Sequence, residues 1–194
     1  MIITISGNSG SGKTTFSNML SSFINFKLID VDLIVSKMYN NKTMCSKLHK
    51  TFGDCVLDEN GVVSKKLVGK LVFSNLNQMN ILNNLTWEYI EKEIDKEIEK
   101  YKNVIIDYKF LPITKYFNIS KFNILIKVIN DDERINKIAI RDNVSVDYVK
   151  SREGFVPNYK EFTFDYVLVN NFTDDFKTKS MLVINDIKER ILWV

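Results

Sequence analysis

The stretch "GNSGSGKTT", Gly7 to Thr15, sets three glycines and a Lys-Thr pair directly behind the apolar run "MIITIS". Residues without a Cβ let a backbone curl and turn successive N–H groups inward, which makes a nest for an anion. Lys13 is placed to put a point charge on the β- and γ-phosphates of a nucleotide, and the Thr14 hydroxyl to hold Mg²⁺. Gly7, Gly12, Lys13 and Thr14 meet the pattern G-x-x-x-x-G-K-[ST] at every fixed position, with Asn8, Ser9, Gly10 and Ser11 between and Thr15 after. The expected ligand of this loop is a nucleoside triphosphate with Mg²⁺.

Such a loop works only between a strand and a helix N-terminus, and both are expected here. "MIITIS" reads as a buried strand, and "KTTFSNMLSSFI" carries Phe16, Leu20, Phe23 and Ile24 at helical spacing. Further strands are expected at "FKLIDVD", "KNVIIDY", "FNILIKVI" and "FDYVLVN", with amphipathic helices at "DDERINKIAIRDN" and "DDFKTKSMLVINDIKERIL". Alternation of this kind argues for a parallel sheet with helices on both faces, where ligands collect at the carboxyl ends of the strands. Those ends carry the glycine loop, Asp30 and Asp32, Asp107 and Asn170, which points to a single site. Asp107 reads either as a carboxylate holding Mg²⁺ through water or as a turn carboxylate. From Ser36 to Lys102 the alternation breaks into helical patterning only. That segment reads as a helical insertion, placed to hold a second substrate.

Composition narrows the classes. A formal net charge of +3 suits anionic small molecules and gives no case for a nucleic-acid groove. Two cysteines and one histidine fit neither a disulfide framework nor a zinc site, so reduced thiols in a cytoplasmic setting are expected. No export signal is visible, and no apolar run approaches the roughly 20 residues of a membrane span. A monomer or weak homo-oligomer is expected, with neither nucleic acid nor membrane as partner.

Four blocks, "IDVDLIVSKMY", "FGDCVLDENGVVSKKLVGKLVF", "IRDNVSVDYV" and "FDYVLVNN", occur in the order and spacing of dephospho-coenzyme A kinases. The chain resembles that family from the glycine loop to about Asn171. The resemblance implies transfer of the γ-phosphoryl of ATP to the 3′-hydroxyl of dephospho-coenzyme A. It also implies an α/β fold of the P-loop NTPase type, a five-stranded parallel sheet plus a helical acceptor-binding insertion and a lid. The expected layout is a nucleotide-binding core at 1–35 and 103–194, a lid at about 141–160, and an acceptor subdomain at 36–102. By the same resemblance Asp32 is the general base, Lys13 and Arg141 are the catalytic cations, Asn170 lies near the adenine and Lys65 contacts the acceptor. Asp30 reads equally as a capping residue, and Lys137 as a phosphate contact or a solvated lysine.

The chain also departs from the family's pattern. Trp87-Glu88 stands for a usual His-Pro, Lys109-Phe110-Leu111 for Pro-Leu-Leu, Arg134 for a glutamine, and Phe172 for a glycine. The segment between Val149 and Asp165 is short. Because these departures lie mostly on the acceptor side, three alternatives stay open: a (deoxy)nucleoside monophosphate kinase, a nucleoside kinase, and a nucleotide-binding regulator without transfer chemistry.

Overall fold

The structure is a computed structural model that describes residues 1–73, 75–151, 153 and 156–192. In chain order the elements are β1 (Ile2–Ser6), α1 (Lys13–Ile24), β2 (Lys27–Asp30), α2 (Val31–Met38), α3 (Lys42–Phe52), α4 (Lys65–Phe73) and α5 (Leu76–Tyr101). There follow β3 (Val104–Asp107), α6 (Lys115–Ile119), β4 (Phe122–Val128), α7 (Asp131–Asp142), α8 (Val146–Ser151), β5 (Tyr166–Asn170) and α9 (Asp175–Leu192). The chain divides into two compact units, Met1–Ile29 with Lys100–Val194, and Asp30–Glu99.

The first unit is built on a five-stranded sheet of order β2-β3-β1-β4-β5. β1 pairs in parallel with β3 on one side, Ile5 opposite Asp107, and with β4 on the other, Ser6 opposite Leu125. β4 pairs in parallel with β5, Val128 opposite Asn170. The register therefore brings Ser6, Asp107, Val128 and Asn170 out at one edge. β1 lies where the chain's crossovers diverge to opposite sides, the position at which open α/β sheets take ligands.

Covered strands explain the composition of the sheet. All four residues of β3 are buried, and Ile3 and Ile5 of β1 have no exposed surface. Phe16 and Leu20 of α1 and Phe176, Ile184 and Ile187 of α9 join Ile3, Ile5, Ile124 and Leu168 in one apolar cluster. In α9 the buried positions Phe176, Ser180, Ile184 and Ile187 recur every three or four residues, so one stripe of the helix faces the sheet.

The second unit is helical. Asp30 ends β2 and at once caps α2, its carboxylate accepting the Leu33 N–H at 3.1 Å. Strand and helix thus share one residue, and Asp32 lies in the first turn of α2 rather than at a strand end. α3 starts on an Asn41 cap in the same manner. The Asp58-to-Gly61 turn is closed by Asp58, which accepts the N–H groups of Asn60 and Val62.

Candidate active site

α1 begins differently from α2 and α3. Its first residue follows Gly12, which sits in the left-handed region at φ 98° and supplies no side-chain cap. The first N–H groups of a helix have no partner within it and, with the helix dipole, attract an anion. A Cβ at Gly12 would lie 2.7 Å from Asn170 Nδ2, and one at Gly10 would lie 2.7 Å from the Ile138 side chain. At both positions a Cβ would force the facing side chain to move, and both hold a left-handed φ that disfavours one.

The loop's carbonyls are held one by one. Asn8 C=O accepts from Lys13 Nζ at 3.0 Å and from the Ser11 N–H at 3.2 Å. Ser9 C=O accepts from Arg134 at 2.8 Å, and Ser11 C=O from Asn170 Nδ2 at 2.9 Å. In a trans peptide the C=O and the following N–H point in opposite directions. Fixing the three carbonyls therefore turns the N–H groups of Ser9, Gly10 and Gly12 away from those donors. These are the N–H groups that the glycine spacing would offer to an anion.

Asp107 reaches the site from the end of β3. Although its side chain is buried, it accepts from Ser17 Oγ at 2.8 Å and from Thr14 Oγ1 at 3.4 Å. Thr14 and Asp107, expected together from the sequence, are thus brought together. Ser17 joins them because it lies one turn after Lys13 and Thr14, on the helix face turned to the sheet. Nothing in the residue pattern singled it out. Hydroxyl and carboxylate oxygens are the hard donors that Mg²⁺ takes, so this set fits that ion.

Beside the loop lies a cavity of about 320 Å³, whose lining includes Asn8, Ser11, Val128, Asp131, Tyr159 and Lys160. Asn8 Oδ1 and Ser11 Oγ are buried there without a hydrogen-bond partner among the described residues. Buried polar atoms left in this state favour a polar guest.

The two arginines of α7 fall into opposite settings. Arg141 is exposed at the helix end, its fork taken by Asp142 at 2.7 and 3.0 Å. Arg134, two turns earlier, has no exposed surface and is the arginine that contacts the loop. Burial alone would favour a neutral guanidinium. Hydrogen bonds to Asp131 and Glu153, with their charges, outweigh it and raise the pKa above the ordinary arginine value. Lys137 pairs with Glu133 at 3.6 Å and lies 5.0 Å from the centre of the Phe172 ring. Phe172, where the family usually has glycine, holds a left-handed φ of 58°. Asn170 accepts the Phe172 N–H as well as bracing Ser11, so its amide serves the loop directly.

In the second unit Asp32 is exposed, and its carbonyl accepts from Ser36 Oγ at 2.9 Å. Lys65, at the start of α4, donates to that same hydroxyl at 2.7 Å. The expected base and the expected acceptor contact are therefore linked through one serine. Of the expected lid, Arg152, Gly154 and Phe155 lie outside the described residues, while Val146–Ser151 is helical.

The family model for dephospho-CoA kinase matches residues 1–173. The chain belongs to the dephospho-CoA kinase family. A dephospho-CoA kinase of Fusobacterium nucleatum is 31% identical over 150 residues, covering 75% of each chain. One from Carboxydothermus hydrogenoformans is 28% identical over 156 residues, covering 78% of this chain and 75% of its own. Among solved structures, dephospho-CoA kinase from Campylobacter jejuni superposes with a TM-score of 0.64 at 22% identity, covering 97% of both chains. That similarity establishes the P-loop kinase fold. Among the described residues no helix is long and apolar enough to cross a membrane.

Proposed function

We propose that the protein transfers the γ-phosphoryl group of ATP to the 3′-hydroxyl of dephospho-coenzyme A. The observation that carries this reading is the braced loop of Gly7 to Thr14 with Asp107 beside it, in a chain of this family.

The N–H groups of the loop and the N-terminus of α1 would receive the β- and γ-phosphates. Lys13 would move its ammonium from Asn8 C=O to those oxygens. Thr14 and Asp107 would hold Mg²⁺, which when bound shields the phosphate charge. Asp32 would orient the acceptor hydroxyl and take its proton. The acceptor oxygen then bonds to the γ-phosphorus as the bond to the bridging oxygen breaks and ADP leaves. Arg141 is assigned to the spreading charge on the equatorial oxygens, which requires it to exchange Asp142 for phosphate. Asn170 is assigned to the adenine side and Lys65 to the acceptor. A cytoplasmic enzyme acting on small molecules as a monomer or weak homo-oligomer completes the reading.

A coupled ADP-release assay with Mg·ATP tests it, with dephospho-coenzyme A set against nucleoside monophosphates and nucleosides. Turnover with dephospho-coenzyme A alone is expected, and turnover only with a nucleotide or nucleoside would overturn the acceptor. Asp32→Asn should lower kcat by about 10²–10⁴-fold while leaving ATP affinity unchanged. An unaffected kcat would remove Asp32 from the chemistry.

A further inference from the structure

One charged side chain outside the glycine pattern bonds directly to the phosphate loop. Arg134 is fully buried, and its guanidinium is shared among three acceptors: Ser9 C=O at 2.8 Å, Asp131 at 2.8 Å and Glu153 at 2.5 Å. Because both carboxylates fix the plane of the fork, its remaining arm has one direction, towards Ser9. Ile138, one turn after Arg134, fills the space that a Cβ on Gly10 would need.

We propose that Arg134 is a positioning residue that holds the empty loop in the shape that receives a nucleotide's phosphates. Arg134 fixes the Ser9–Gly10 peptide, so that the Gly10 N–H faces the anion. The side chain need not touch the nucleotide. A peptide free to flip would present a carbonyl to the phosphates in some of its states, so the brace acts on binding before the transfer step. The inference rests on the reading above in taking the loop as a nucleotide site.

The test pairs amide order parameters from ¹⁵N relaxation of the ligand-free protein with the dissociation constant for Mg·ATP. Arg134→Met is expected to lower the Gly10 order parameter from the rigid range near ~0.85 to below about 0.6. It should also weaken Mg·ATP by about tenfold, the loss expected for one charge-assisted hydrogen bond. Arg134→Gln, which keeps an amide donor, should recover part of both. Should Arg134→Met not fold, Arg134→Gln decides the matter by the same two readouts. Folded variants with wild-type loop order, or with order lost evenly through β1 and α9, would overturn the proposal. A wild-type protein with a rigid loop and no affinity for Mg·ATP would overturn the nucleotide reading, while the order parameters still decide the bracing.

Discussion

At the scale of residues, Gly12 carries the sharpest constraint. Its φ of 98° and the 2.7 Å approach of Asn170 Nδ2 act against any Cβ. Gly12→Ala is expected to cost about 1–2 kcal/mol from backbone conformation alone. Because Asn170 must also shift, it should weaken Mg·ATP, read by titration calorimetry beside a urea melt. Lys13→Ala should lower kcat by about two to three orders of magnitude, and wild-type turnover would remove the loop from the reaction. The glycines, Lys13 and Thr14 were legible because their types and spacing are themselves the chemistry. Arg134 was legible only as a departure. An arginine on an amphipathic helix reads as solvated until Ser9, 125 residues earlier, and Glu153, 19 residues later, are brought to it.

At the scale of elements, strands and helices with a clean period appear where the pattern places them. The run "KTTFSNMLSSFI" is helical from its first residue to its last, and the terminal helix shows its expected apolar stripe. Ile184, fully buried in that stripe, anchors α9 to the sheet. Ile184→Ala should cost about 2–5 kcal/mol, the range for a buried aliphatic truncation. Thermal denaturation measures this, with the dissociation constant for Mg·ATP expected to hold at temperatures where the variant is folded. The Asp30–Asp32 segment was less legible. Both carboxylates are expected at a strand end, with capping an equal reading of Asp30; Asp30 ends β2 and also caps α2, so it is Asp32 that is carried off the strand into the first turn of the helix. A capping aspartate and a strand-end aspartate look alike until the following N–H groups have a direction.

At the scale of the whole molecule, each unit contains a tyrosine whose ionisation opposes folding. Burial, with a smaller contribution from Cys45, pushes Tyr39 from 10.0 up to about 12. Burial also raises Tyr159, against the opposing Gly7 N–H. For Tyr39 the folded state retains a proton that the unfolded chain releases. Its contribution is therefore complete below about pH 10 and disappears as pH climbs through about 12, amounting to at most about 3 kcal/mol. Urea unfolding across this window should show the fall in stability, and Tyr39→Phe should flatten it. Wild-type steepness in that variant would assign the fall elsewhere.

The strand order also bears on how the chain is made. β1 emerges first, yet both its neighbours, β3 and β4, begin only at Val104 and Phe122. A nascent chain that has reached Glu99 holds all of the second unit but only residues 1–29 of the first. Pairing across such separations closes large loops and is slow. During translation, then, the segment carrying the phosphate loop waits, its apolar strand unpaired, until β3 and β4 have been made. Chaperone demand should be concentrated in that interval, on β1.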